Sequence, residues 1–89
     1  MPNYKLEFSR DAEKTLGQIF HKEPELYRRL EKALDELGYD PSAGKPLKGE
    51  FRGLFSYRVG SYRIIYEIHR NELIVIVVDV GHRRDIYKA

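Results

Sequence analysis

The 89-residue sequence contains no cysteine. This absence excludes a disulfide framework, a thiolate metal site and a cysteine nucleophile, and it fits a reducing compartment. No apolar stretch approaches the roughly 20 residues that span a bilayer, and the polar start MPNYKLEFSR lacks the apolar segment of a signal peptide. We therefore expect a cytoplasmic protein with no membrane partner.

Motifs for metals and cofactors are also missing. The sequence has no HxxxH or DxD motif and no glycine-rich phosphate loop, and His21 and His69 show no spacing typical of metal ligands. We therefore expect neither a metal nor a cofactor. A chain of this length buries roughly 60–65% of its unfolded surface, which suffices for one small core. Residues 1–89 are predicted to form a single domain.

The charge is distributed unevenly along the chain. Residues 1–44 carry seven Lys and Arg against nine Asp and Glu, a net charge of −2, whereas residues 45–89 carry nine against five, a net charge of +4. A polyanion would be attracted to the second half, although a local excess of this size is also common on solvated surfaces.

The first half of the chain predicts one strand and two helices. Residues 4–8 alternate apolar and charged side chains, which indicates a short strand with one buried face. Ser9 suits the N-cap of a helix over Arg10–Lys22, and a second helix is predicted over residues 24–38, with Pro24 in its first turn and Gly38 as its C-terminal cap. The apolar positions recur at helical spacing: Ala12, Leu16, Ile19 and Phe20 in the first helix, and Leu26, Leu30, Ala33, Leu34 and Leu37 in the second.

The second half predicts a loop and three strands. Residues 39–53 are rich in Pro and Gly without periodicity, which indicates a connecting loop. Strands are predicted over residues 54–59, Tyr62–His69 and 72–80, and the last, almost continuously β-branched, is typical of an interior strand covered on both faces. The order β-α-α-β-β-β predicts an α+β fold, in which a helix hairpin packs on a mainly antiparallel four-stranded sheet and the first strand pairs with one of the later three.

Three arginines are expected to converge on one side of this sheet. Side chains alternate along a strand, so Arg63 points away from Tyr62 and Tyr66. Arg58 lies on the adjacent strand, and Arg83 follows the end of the last one. A guanidinium is permanently charged and forks onto phosphate, so such a cluster suits phosphodiester binding and the charge that develops during its cleavage. The alternative is that each arginine is an ordinary solvated charge.

Other side chains near the arginines have two interpretations each. Glu67 is either a cross-strand ion-pair partner or a catalytic base, and His82 has a pKa range suited to proton transfer or is incidental in its turn. Tyr87 either stacks on a nucleotide base or anchors the chain end. The further candidates for RNA binding are Lys45, Lys48, Arg52, His82 and Arg84.

The tract KPLKGEFRGLFSYRVGSYRIIYEI and the tail VDVGHRRDIY, in this order of elements, resemble the RelE branch of the RelE/ParE superfamily of bacterial and archaeal toxins over nearly the whole chain. The resemblance implies a microbial-RNase-like fold and a toxin of a type II toxin–antitoxin system. It also implies a ribosome-dependent endoribonuclease that cuts mRNA in the A site and inhibits translation. In this reaction the RNA 2′-hydroxyl attacks the adjacent phosphate without a metal and leaves a 2′,3′-cyclic phosphate. The implied partners are the ribosome, mRNA and a RelB-type antitoxin that forms a hetero-oligomer with the toxin.

The resemblance also implies roles for individual residues. Arg63 matches the arginine that stabilises the scissile phosphate, Arg83 an acid or phosphate stabiliser, and Tyr87 a tyrosine that orients the nucleotide. Arg58 matches one of two basic positions in its strand, and the other is Ser56 in this sequence. The missing lysine leaves the general base open among assisting candidates: Lys48, Arg52, Glu67 and His82.

Two other functions remain open at this point. The ParE branch shares the fold but inhibits DNA gyrase by binding and is not a nuclease, and a gyrase inhibitor has no need of the arginine cluster. A toxin-like domain without activity, which serves only as an antitoxin partner, is the third interpretation.

Overall fold

The computed structural model describes residues 3–82. The helices and strands follow in the order β1 (Lys5–Phe8), α1 (Arg10–Lys22), α2 (Pro24–Tyr39), β2 (Lys45–Pro46), β3 (Phe55–Val59), β4 (Tyr62–His69) and β5 (Ile74–His82). Two single 3-10 turns, Pro41–Ala43 and Gly49–Phe51, flank β2. Within the described residues, no helix is long and apolar enough to cross a membrane.

The start of α1 is fixed by Ser9, as predicted. The Ser9 Oγ accepts a hydrogen bond from the Ala12 amide at 3.0 Å and donates one to the Val78 carbonyl at 2.6 Å. The first bond satisfies an amide at the helix N-terminus, and such caps contribute about 1 kcal/mol. The second bond ties the helix start to β5.

The predicted end of α2 at Gly38 is wrong. The helix continues through Tyr39, and Asp40 is its C-cap. Gly38 is part of the helix and does not adopt the left-handed conformation of a C-terminal glycine cap. It is buried, and its carbonyl accepts a hydrogen bond from the Tyr4 amide at 2.9 Å.

The helices pack on one face of the sheet and close the core. Buried residues of both helices, such as Ile19 and Leu30, form one cluster with Ile64, Val75 and Val77 of the strands. Phe20 departs from its predicted place in this cluster, because its side chain is 55% exposed. Its ring instead lies edge-on against Tyr27, with the ring centroids 5.0 Å apart.

Within residues 3–82, the sheet has five strands in the order β1-β5-β4-β3-β2, not four. β1 pairs parallel with β5, whereas the other pairings are antiparallel. The first strand therefore has its partner among the later strands, as predicted. The extra strand is β2, which lies within the segment predicted as a loop and pairs only Lys45 and Pro46 with β3. Two residues are too few to show strand periodicity.

The last strand lies inside the sheet, as predicted, but is displaced along the chain. The turn before it spans four residues, because Leu73 takes a left-handed φ of 55°, and β5 begins at Ile74 instead of residue 72. The two faces of β5 are also not equally buried, as they would be in a strand covered on both sides. Val75 and Val77 are fully buried on the helix side, whereas Ile76 is half-buried on the other.

Candidate functional site

The candidate site lies on the sheet face that points away from the helices, which we call the open face. Arg58 and Arg63 are direct partners in the β3–β4 ladder. Partners in an antiparallel ladder lie side by side on the same face. The tyrosines that alternate with Arg63 belong to or pack against the helix-covered core. The structure therefore brings the two arginines together, as the sequence predicted.

Arg63 is held in place by a side chain that sequence reasoning did not assign to the site. Arg63 is half-buried, and its Nη1 donates a hydrogen bond to the Ser56 Oγ at 3.2 Å. Ser56 is itself only 4% exposed. A guanidinium anchored in this way is pre-organised for an anion, since it needs little reorientation to bind phosphate.

Arg58 has a different environment at the end of β3. It is exposed, and its Nε donates a hydrogen bond to the carbonyl of Gly60 at 3.1 Å. Gly60 has a φ of 60° in the turn that joins β3 to β4, so the turn bends the chain back and offers that carbonyl. Like charges directly opposite each other in a ladder destabilise it. An anion bound between Arg58 and Arg63 would relieve the repulsion.

A bulge in β5 determines which β5 residue pairs with Arg63. Ile65 pairs with Asp79 and Tyr66 pairs with Val77, so Val78 is an extra residue in β5. An extra residue reverses the alternation of side chains beyond it. As a result Val80 is buried in the core and Gly81 is the direct partner of Arg63. The arginine therefore has a neighbour without a side chain on its β5 side.

Glu67 has a partner other than the one expected. Its Oε1 lies 2.9 Å from the Nε2 of His69, two residues along the same strand, so the ion-pair partner is not across the ladder. The His69 Nδ1 also lies 3.8 Å from Glu72. These contacts lie at the end of β4 that is far from Arg63.

His82 lies away from the arginine pair. It pairs with Tyr62 in the ladder, and the two rings meet edge to face with centroids 5.6 Å apart. With Thr15 and Lys22 of α1, these rings line a cleft of about 390 Å³ between the helix end and the sheet. His82 therefore belongs to the helix side, and its role in RNA binding stays a prediction.

The loop cations divide into two groups. Lys45 in β2 is the direct partner of Ser56 in β3 and so lies on the open face. Lys48 and Arg52 are exposed and flank the 3-10 turn beyond β2. The predictions for Arg83, Arg84 and Tyr87 concern residues that lie outside the described part of the chain. Within residues 3–82, no three His, Asp or Glu side chains are grouped as metal ligands would be.

A buried tyrosine fastens the segment that carries β2. Tyr66 is fully buried; its hydroxyl donates to the Pro41 carbonyl at 2.6 Å and accepts from the Gly44 amide at 3.0 Å. We call these contacts of Tyr66, Pro41 and Gly44 the tyrosine clasp. The alternation in β4 indicated that Tyr66 faces the core, but no local pattern indicated its partners, which lie more than 20 residues earlier in the chain.

The tyrosine clasp predicts that the free energy of unfolding falls at alkaline pH. Burial raises the pKa of Tyr66 from 10.0 to about 12, because it disfavours the phenolate. Between pH 10 and pH 12 the unfolded chain loses the Tyr66 proton, whereas the folded chain keeps it. The contribution of the Tyr66 hydroxyl to the free energy of unfolding is therefore fully present below pH 10 and is lost toward pH 12.

Replacing Tyr66 by Phe should therefore cost about 1–3 kcal/mol at pH 7, because the partners of the hydroxyl are left unsatisfied. The difference from wild type should shrink as the pH rises from 10 to 12. Urea unfolding of both proteins over this range measures it, with Tyr39→Phe as the control because Tyr39 is 52% exposed. A difference that stays constant across this range would contradict the assignment.

Comparison with known proteins gives a consistent picture. Residues 6–87 match the family model described as ParE toxin of type II toxin-antitoxin system, parDE. The chain is 38% identical to Toxin RelG of Mycobacterium tuberculosis over 88 residues, which cover 96% of this chain and 97% of that protein.

Solved structures extend the likeness to the fold. The toxin–antitoxin complex RelBE2 of M. tuberculosis contains a chain that matches with a TM-score of 0.77 and 33% identity, over 93% of this chain and 100% of that one. The intact Escherichia coli RelBE toxin–antitoxin complex contains a chain that matches with a TM-score of 0.70 and 27% identity, over 89% and 95% of the two chains. The two-helix, mainly antiparallel architecture is therefore that of RelE-like toxins.

Proposed function

This chain belongs to the RelE/ParE family of toxins from type II toxin–antitoxin systems, and from that premise we propose that it is a ribosome-dependent endoribonuclease that cleaves mRNA in the A site. The observation that carries the proposal is the arginine pair on the open face, with Arg63 anchored by Ser56. Two neighbouring guanidinium groups, one of them anchored, suit the charge that develops on a phosphodiester during cleavage.

In the proposed reaction the 2′-oxygen of one nucleotide attacks its own 3′-phosphate. The bond from phosphorus to the 2′-oxygen forms and the bond to the 5′-oxygen of the next nucleotide breaks. A general base takes the proton of the 2′-hydroxyl and a general acid gives one to the leaving 5′-oxygen, so the products are a 2′,3′-cyclic phosphate and a 5′-hydroxyl. Arg63 stabilises the pentacovalent phosphate, Arg58 adds a second positive charge, and the step requires no metal.

The residues proposed for acid catalysis and for orienting the nucleotide come from the motif match. We propose Arg83 as the acid or a further phosphate stabiliser and Tyr87 as the residue that orients the nucleotide, on the motif match alone. Glu67 is a poor base for this phosphate because it is engaged with His69, and His82 lies on the helix side with Tyr62. Much of the rate enhancement would then come from the substrate geometry that the A site imposes, which is why we propose that the ribosome is required.

We further propose that a RelB-type antitoxin holds the toxin inactive in a hetero-oligomer. The solved RelBE2 and RelBE structures that resemble this chain are toxin–antitoxin complexes. A partly disordered antitoxin could wrap the surface and mask its positive charge.

Inhibition of DNA gyrase is the second candidate function, because the matching family model is described as a ParE toxin. Adding the purified chain to a cell-free translation extract and, separately, to a gyrase supercoiling assay distinguishes the two. We expect translation to stop and supercoiling to continue. Blocked supercoiling with normal translation would establish the gyrase function, and no effect in either assay would favour an inactive antitoxin partner.

A further inference from the structure

The edge strand β2 places a third positive charge beside the arginine pair. Lys45 and Ser56 are direct partners in the β2–β3 ladder, so their Cβ atoms are expected about 4.5–5.5 Å apart on the same face. The Ser56 hydroxyl in turn accepts the hydrogen bond from Arg63. A small, buried serine is thus the spacer between Lys45 and Arg63.

The spacing suits one shared phosphate group. Ser56 presents only a short side chain between the two cations, and Lys45 is exposed, so its ammonium can turn on a flexible four-carbon stem toward an anion held by Arg63. Arg58 is two residues beyond Ser56 in β3, on the same face and directly opposite Arg63. Three neighbouring strands would then each contribute one cation.

The two-residue strand that carries Lys45 is fastened on both sides. Before it, the tyrosine clasp holds the carbonyl of Pro41 and the amide of Gly44, the residue next to Lys45. The Asp40 carboxylate also accepts hydrogen bonds from the amide and hydroxyl of Ser42, at 3.2 and 2.6 Å. After it, the Leu47 amide donates to the Leu54 carbonyl at 2.9 Å. Lys45 therefore projects from an anchored segment.

We propose that Lys45 contacts the phosphate bound by Arg63 and supplies a third positive charge during cleavage, with Tyr66 and Gly44 as positioning residues that hold its strand. This inference rests on the nuclease function proposed above. It gives β2, the strand that the sequence did not predict, a part in the site, because the pairing of β2 with β3 puts Lys45 on the open face.

The test measures ribosome-dependent cleavage of a defined mRNA by the full chain. Lys45→Gln should lower kcat/KM roughly tenfold to a hundredfold, the loss expected for one charge-assisted contact. Lys45→Arg keeps the charge and should stay within about threefold of wild type. The matched control is Lys5→Gln, since Lys5 is exposed in β1 at the opposite edge of the same sheet, roughly four strand spacings of 4.8 Å away.

Each outcome decides the inference. Equal activity of Lys45→Gln and Lys5→Gln, while Arg63→Ala is inactive, would overturn the role of Lys45 and leave the nuclease function intact. Equal losses in Lys45→Gln and Lys45→Arg would also overturn it, since charge would then not be what matters. A wild-type chain that cuts no mRNA with ribosomes present would overturn the nuclease function itself, and the role of Lys45 with it.

Discussion

Replacing Arg63 by Ala is expected to lower the rate of mRNA cleavage by about 10²- to 10³-fold, the usual loss when one pre-organised donor to a transition-state anion is removed. The fold should survive. Arg63 lies in β4 with its side chain on the open face, and its hydrogen bond to Ser56, which the change breaks, contributes about 1 kcal/mol. It also removes the repulsion from Arg58 across the ladder.

The measurement is single-turnover cleavage on programmed ribosomes, with urea unfolding of the same samples. Arg63→Lys separates charge from shape: it keeps the charge but loses the planar fork, so an intermediate rate is expected. Arg70→Ala is the matched control, because Arg70 is exposed in the turn between β4 and β5, and its rate should equal that of wild type. An Arg63→Ala protein that is folded and still cleaves at the wild-type rate would remove Arg63 from the mechanism.

The second large effect concerns Gly44 in the tyrosine clasp. The φ and ψ of Gly44 are −77° and 168°, an extended conformation open to any residue, so the glycine is required by space. A Cβ built at Gly44 would lie 2.1 Å from the Tyr66 Oη and 2.9 Å from its Cζ. The ring cannot retreat, because it is fully buried and stacks on Phe55 with centroids 5.6 Å apart.

Gly44→Ala should therefore push β2 away from the sheet. We expect a loss of about 2–4 kcal/mol in the free energy of unfolding, from overpacking and from the broken hydrogen bonds of the clasp. Cleavage by the folded fraction should fall as well, because Lys45 moves with its strand. Urea unfolding and the cleavage assay measure the two effects.

Gly17→Ala is the control for the Gly44 substitution. A Cβ at Gly17 would meet nothing within 4 Å, and Gly17 is exposed within α1. Alanine is the better helix former by about 0.8–1 kcal/mol, so this variant should be more stable than wild type. Wild-type stability and activity in Gly44→Ala would show that the clasp does not hold β2.

Local signals in the sequence were sufficient for most of the fold. Ser9 predicted the start of α1 because a cap acts on amides within the next turn, and the apolar stripe of α2 predicted its buried face because helical spacing fixes which side chains share it. The pairing of Arg58 with Arg63 followed from the tight turn between β3 and β4, since a short turn sets the register of the strands it joins.

Contacts between distant residues decided what the sequence could not predict. The segment before β2 is fastened by the hydroxyl of Tyr66, which contacts Pro41 and Gly44, and neither end of that contact has a local signature. The bulge at Val78 shifts β5 by one residue and so puts Gly81 opposite Arg63. Phe20 fits the stripe of α1 by spacing, yet it is exposed and contacts Tyr27 of α2.

We propose that this toxin cuts mRNA on the ribosome with its open face. The most direct test is primer-extension mapping of a translated mRNA in a cell-free system, with and without ribosomes, for the wild type and for Arg63→Ala and Arg83→Ala. The claim predicts cuts in phase with codons that require ribosomes and disappear in both variants. Intact mRNA with ribosomes present, or efficient cleavage of naked RNA, would contradict it.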